Sequence, residues 1–450
     1  MAQPDGIAAN GCRLDTMDVG DLLEDHATTP VPESRTVGGL RVGLLYSAQA
    51  FSVPGLVGGV RIGSALGLPA GVGAFLAGGL FLGVLGAVTA VIGARTRLSS
   101  YMLIQFAFGV KGSKVVNLAF AISQFGWFGV QLGLFAKAAQ GLAADQLGLN
   151  LGETAYILSG GLLMVVSTMF GFRLLNRLAL VVVPLMVALM AVLLYLVFSD
   201  QPLSAIFEIP GTGTLTFNEG VAATVGGLIL GAVLIPDVTR FVKTTGDAVL
   251  ASFLTFLIAS TLVYVVAAMA SLATGIGETL QIMVAVGLGT GAFALVVCST
   301  WTANSINLYG SSLSMSAVVP GFAGWRMTVA CGTVGTLVTF LGILDYFVPF
   351  LIYLSVLFIP VGSIYITDFF FLRNRQYRLE DLPKLAAISW PALAAWLVGS
   401  AASYATAEGM MTLTGSSTID ALLVPAIVYI LLMKARRGRT SAAGERDGAR

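Results

Sequence analysis

The sequence predicts an all-α polytopic membrane protein of about twelve spanning helices, and three observations predict it. Of 450 residues, 56% are apolar and only 10% charged, with a mean hydropathy of +0.89, a balance foreign to domains that face water on all sides. Roughly twelve stretches between Leu40 and Met433 reach the ~20 mostly apolar residues that carry a helix across ~30 Å of hydrocarbon. All but two of the 24 lysines and arginines fall on one face when those stretches alternate direction, as basic loops retained in the cytoplasm do.

Taken in order, residues 1–37 hold seven acids and no apolar run, which predicts a disordered acidic cytoplasmic tail and not a cleaved signal. The predicted spans are 39–66, 69–94, 115–141, 154–171, 176–198, 219–236, 248–275, 281–309, 326–344, 347–371, 386–406 and 419–434, followed by a basic cytoplasmic tail over 435–450. The even number puts both termini on one side, and Arg95, Arg97, Arg240, Lys243, Arg373 and Lys384 mark that side as cytoplasmic. The loops near Leu149, Gly211, Gly277, Asp345 and Gly409 carry no basic residue and read as external. Arg61, in the outer half of the first span, and Lys137, which snorkels outward, are the two left over.

Composition removes several classes of chemistry. A net charge of +1 gathers no nucleic acid. Cys12, Cys298 and Cys331 are too scattered for a disulfide framework or zinc cluster, and His26 is the only histidine. No phosphate-binding loop is present, so ATP-driven pumping by this chain is not expected. The spans hold no paired carboxylates and no nucleophile with an adjacent base, so an enzyme is not expected.

Two spans carry helix-breaking strings five spans apart: YSAQAFSVPGLVGG (46–59) and VGGLILGAVLIP (225–236). Broken helices in corresponding positions of two halves point to an inverted-repeat secondary transporter, because unwound backbone in the membrane must line a site. Close helix packing explains the same glycines equally well, since Gly supplies 54 of the 450 residues.

In the third span, Gln124, Trp127 and Gln131 follow an i, i+3, i+7 stripe. An indole flanked by two amides suits a flat polar heterocycle, which stacks on the ring and hydrogen-bonds at its edge. The alternative, an interfacial-belt tryptophan, fits less well because Trp127 lies about a dozen residues inside the span. The eighth span holds VCSTWTANSINLYGSSL (297–313), where Ser299, Thr302 and Asn304 offer oxygens to a ligand or a small cation, or bond back to their own helix.

Several strings in order, FGVKGS (108–113), WFGVQ (127–131), PDVTRF (236–241), WTANSINLY (301–309) and IPVGSIYITDFFFLRNRQY (359–377), resemble the nucleobase:cation symporter family of cytosine permeases and hydantoin and allantoin transporters. The resemblance implies twelve helices and a five-plus-five inverted repeat of the leucine-transporter type, with repeats over 38–198 and 219–371 and a final pair over 386–434. It further implies that Trp127 stacks the substrate, that Gln124, Gln131 and Asn304 read its edge, and that Gly226, Gly227 and Leu228 form a substrate-side break in helix six. By the same resemblance a sodium ion lies among Ser47, Ala50, Phe51, Ser299 and Thr302. The chain departs from the pattern twice. Leu228 replaces the aromatic expected nine residues before Asp237, and Ala303 replaces a hydroxyl ligand of the sodium site.

The expected function is therefore symport, across the cytoplasmic membrane, of a small planar nitrogen heterocycle with sodium or a proton. A passive facilitator or substrate sensor on the same scaffold is the alternative that Ala303 keeps open. The acids give no mid-membrane relay: Asp237 and Asp368 map near Arg240 and Arg373 at the cytoplasmic ends, where Asp237 and Arg240 read as a surface pair in preference to a cytoplasmic latch.

Overall fold

The computed structural model describes residues 31–32, 36–149, 151–170, 172–200, 202–319, 324–411 and 413–447. The acidic tail lies outside the described residues except for 31, 32, 36 and 37, and so do Arg13 and Arg35. At its described end Val31 is buried beside Phe241, and Val37 pairs with Val242 in an isolated bridge.

The first predicted span is two helices, α1 (Gly39–Tyr46) and α2 (Val53–Leu66), joined by a 3-10 turn at Ser47–Gln49. Ser52, in an extended conformation, caps α2 by accepting from the Gly55 amide, and Pro54 sits in the first turn, where its missing N–H costs nothing. Then follow α3 (Leu68–Thr96), a short α4 (Ser100–Phe108) that the span pattern does not show, α5 (Gly112–Leu147), α6 (Glu153–Phe170), α7 (Phe172–Asp200) and α8 (Leu203–Glu208).

The second half opens with α9 (Phe217–Leu234), started by a Thr216–Glu219 capping box, and the four-residue α10 (Pro236–Thr239). After it come α11 (Thr245–Phe253), a π-helical stretch at Leu254–Ala259, and α12 (Ser260–Thr274). The eighth span divides into α13 (Thr279–Ala285) and α14 (Gly289–Val318), because Gly287 turns the chain at φ +83°. The remainder is α15 (Gly324–Phe340), α16 (Phe347–Thr367), α17 (Trp390–Ala407) and α18 (Ser417–Asp447), which continues through most of the basic tail. Among the described residues, six helices are long and apolar enough by themselves to cross a bilayer.

Helices five spans apart in sequence pack together, α2 on α9, α3 on α11, α5 on α14 and α6 on α15, and α2 also packs on α12 of the seventh span. This is the packing of an inverted repeat. The loops meet at two separate ends. At one, Thr212 and Gly213 donate amides to the carbonyls of Ser64 and Ala65, and Arg61 donates to the Leu344 carbonyl. At the other, Arg97 donates to the carbonyls of Arg240 and Val242, and Gly39 donates its amide to Asp247.

Helix six breaks later than expected. The α9 helix runs continuously through Gly226, Gly227 and Leu228, and the chain turns at Ile235, where Pro236 has no N–H for the Ala232 carbonyl. A Cβ at Gly226 would collide with the Leu351 carbonyl, so this glycine serves the close approach of α9 to α16. The last four carbonyls of a helix lack intrahelical partners, and hydrocarbon supplies no water to replace them. Here each receives a side-chain hydroxyl from a different element. Tyr46 donates to Gly231 (2.9 Å), Thr89 to Ala232 (2.7 Å), Tyr365 to Val233 (2.8 Å) and Ser100 to Leu234 (3.1 Å).

The acids near the predicted cytoplasmic end are structural. Asp237 accepts from the first amide of α4, that of Ser100, at 2.7 Å. Its neighbour Arg240 is 2% exposed, so the surface pair is corrected to a buried one: the guanidinium Nε donates to the Asp237 carbonyl at 3.1 Å. Asp368, also buried, accepts from Arg373 (2.9 Å), Tyr377 (2.7 Å) and Tyr429 (2.8 Å), which ties the end of α16 to α18.

Candidate functional site

A cavity of about 420 Å³ lies between the break in helix one and α5, α9, α12, α14 and α16. From helix one it is lined by Tyr46, Gln49, Ala50, Phe51 and Ser52, residues exposed to it because the 3-10 turn and the bend at Phe51 and Ser52 interrupt the helical ladder. Gln49 is held there by donating Nε2 to the Tyr46 carbonyl at 3.0 Å.

The three residues of the α5 stripe, Gln124, Trp127 and Gln131, all line the cavity. Phe347 and Phe350 of α16 meet the Trp127 indole edge-on, at 6.1 and 5.5 Å between centroids and 76° and 75° between planes. They brace the ring without lying parallel over it. Gln131 is 5% exposed and its Oε1 has no hydrogen-bond partner among the described residues. A buried, unsatisfied amide oxygen is costly, and this one belongs to a residue of the cavity wall.

The α9 wall contributes Gly227, Leu228 and Gly231, while Gly226 faces α16 and not the cavity. On α14 the cavity stripe is Ser299, Thr302, Ala303 and Asn307, an i, i+3, i+4, i+8 progression. Asn304, expected to read substrate, projects from the adjoining stripe and donates Nδ2 to the Phe128 carbonyl and Met164 Sδ, both at 3.1 Å. On the same turned-away face, Trp301 donates Nε1 to Ser167. The asparagine facing the cavity is Asn307, one turn further on, and the nearly continuous polar string around it carries no signal that separates the two.

Of the expected sodium ligands, Ala50, Phe51, Ser299 and Thr302 line this one cavity. Thr302 donates its hydroxyl to the Cys298 carbonyl at 2.8 Å, which leaves its oxygen lone pairs for a cation. Ser47 lies off the cavity. Its hydroxyl donates to the Gly43 carbonyl (2.7 Å) and sits 3.4 Å from the Thr255 hydroxyl, within the packing of α1 on the π-helical stretch. Nothing in the sequence singles out Tyr264, Phe347 or Leu351, which also line the cavity from within apolar runs.

The polar groups of this lining are amides and hydroxyls, all neutral, set around one indole. Such a surface hydrogen-bonds and stacks an uncharged planar molecule and offers no charged side chain to pair with an ionised one.

Residues 30–430 match the family described as permease for cytosine/purines, uracil, thiamine, allantoin. The cytosine permease of Escherichia coli O157:H7 is 31% identical over 420 residues, which cover 92% of this chain and 95% of the relative. The inward-facing form of Mhp1 superposes with a TM-score of 0.79 at 21% identity, covering 90% of this chain and 93% of the other. A closed form of Mhp1, a nucleobase-cation-symport-1 family transporter with bromovinylhydantoin bound, gives a TM-score of 0.76 at 21% identity, covering 92% and 95%.

Proposed function

The chain belongs to this permease family and is a multi-pass membrane transporter of the nucleobase type, and from that premise we propose that the cavity between helix one and α9 is its substrate site. The substrate is an uncharged planar nitrogen heterocycle of the cytosine, purine, uracil, hydantoin or allantoin kind, carried inward unchanged. Trp127 stacks the ring, Gln131 accepts from a ring N–H or amino group, and Gln124 and Asn307 read the remaining edge. The observation that carries this reading is the buried Gln131 Oε1, without a partner in a wall it shares with Trp127.

The neutral lining supports uncharged rings over a cation such as thiamine. Leu228, where the family pattern has an aromatic, makes the stacking one-sided. Sodium as the coupling ion is supported by the convergence of Ala50 and Phe51 with Ser299 and Thr302 on one cavity. These four residues would hold it with backbone and hydroxyl oxygens, the ligand type hard cations prefer. Both termini are assigned to the cytoplasm on the distribution of lysine and arginine.

Uptake of radiolabelled cytosine, uracil, adenine, hydantoin and allantoin by reconstituted wild-type protein and Trp127→Ala tests the assignment. Loss of uptake in the variant is expected. Unchanged uptake of every transported compound would show that Trp127 is not the stacking residue.

A further inference from the structure

With Leu228 in place of an aromatic, the wall formed by α2, α9 and α12 still presents one ring to the cavity. We propose that Tyr264 of α12 is a substrate-binding residue that sets specificity, its hydroxyl hydrogen-bonding the edge of the heterocycle remote from Gln131. This rests on the reading of the cavity as the heterocycle site.

Tyr264 is 4% exposed and lines the cavity. Its hydroxyl makes no hydrogen bond to another of the described residues. A hydroxyl without a protein partner in the wall of a cavity can bond to a ligand there. The ring is held firmly in place. It stacks on Phe75 with centroids 5.3 Å apart and planes 29° apart.

Two residues without side chains make room for it. A Cβ at Gly58 of α2 would come within 2.9 Å of Tyr264 Cε1, and a Cβ at Gly227 of α9 would overlap the hydroxyl itself. The phenol therefore threads between α2 and α9 and ends against the α9 backbone one residue before Leu228. A polar group thus occupies the wall from which an aromatic face is missing. A phenol both donates and accepts, so it serves either a ring carbonyl or a ring N–H. The ligand class is a heterocycle with hydrogen-bonding groups on two separate edges, one met by Gln131 and the other by Tyr264.

The test compares wild type, Tyr264→Phe and Trp127→Ala in proteoliposomes and as purified protein in equilibrium binding, with radiolabelled cytosine, uracil, adenine, hydantoin and allantoin as probes. Tyr264→Phe keeps the ring, its stack on Phe75 and its fit against Gly58. It is expected to retain the wild-type melting temperature and maximal rate while raising KM and Kd together by about tenfold, the loss of one hydrogen bond in a desolvated site. Unchanged KM and Kd for every transported probe, alongside loss of uptake in Trp127→Ala, would overturn the role of Tyr264 and leave the cavity assignment standing. A raised KM without a matching rise in Kd would also overturn it. Unimpaired uptake by Trp127→Ala, or no uptake of any probe by wild type, would overturn the cavity assignment and this inference with it.

Discussion

Tyr46, the last residue of α1, donates its hydroxyl to the Gly231 carbonyl of α9 at 2.9 Å, joining the two interrupted helices beside the cavity that both line. The bond satisfies a carbonyl that the turn at Ile235 leaves open, and it places Gln49 against the same glycine: a Cβ at Gly231 would lie 2.5 Å from Gln49 Oε1. Tyr46→Phe leaves that carbonyl bare in a buried site, at a cost of about 1–3 kcal/mol. A lower melting temperature in detergent is expected, and an unchanged one would show that water replaces the phenol.

The two asparagines of α14 are expected to separate cleanly. Asn307→Ala removes a cavity-lining amide and raises KM about tenfold with little change in melting temperature. Asn304→Ala removes the tie from α14 to Phe128 and Met164, and lowers the melting temperature with KM nearly unchanged. Uptake kinetics and thermal unfolding of the two variants, measured side by side, check both halves; reversed phenotypes would mean that the cavity stripe has been assigned to the wrong face.

Leu228→Phe supplies the aromatic that the family pattern carries at this place in the cavity wall. Tighter binding of aromatic bases is expected, by about 0.5–1.5 kcal/mol, with less gain for the non-aromatic allantoin. Competition against a transported base measures the difference. Equal affinity for all ligands before and after substitution would place residue 228 away from the bound ring.

Ala303→Thr adds a hydroxyl to the cavity beside Ser299 and Thr302. If sodium is the coupling ion, the variant reaches half-maximal uptake at lower sodium concentration. An unchanged sodium response would count against a site here, and wild-type uptake that collapses with an uncoupler but ignores sodium would assign coupling to protons.

Most helix positions are legible in the sequence because the hydrophobic runs are long. The break in helix one is legible too, from Pro54 and its neighbouring glycines. The break in helix six falls later than its glycines suggest, because a glycine string does not reveal its purpose: Gly226 lets α9 approach Leu351, and the ladder fails only where Pro236 has no amide hydrogen. On α5, two glutamines and a tryptophan at helical spacing define the face that lines the cavity. On α14 the polar residues run almost continuously from Ser299 to Asn307, so the string gives no phase, and Asn304 stands out in it where the structure turns Asn307 to the cavity. Tyr264 lies in the run LVYVVAA and looks like packing until its hydroxyl is seen against Gly227.

The hydroxyls gathered at the end of α9 change what intolerance to substitution means in this protein. Thr89, Ser100 and Tyr365 each complete a carbonyl of α9, and none of them borders the cavity. Replacing any of them with an apolar residue is expected to loosen the joint while leaving every residue of the cavity lining in place. In a bilayer core, where backbone oxygens must find a proton within the protein, a polar residue that cannot be spared can be a rivet and not a reader of cargo.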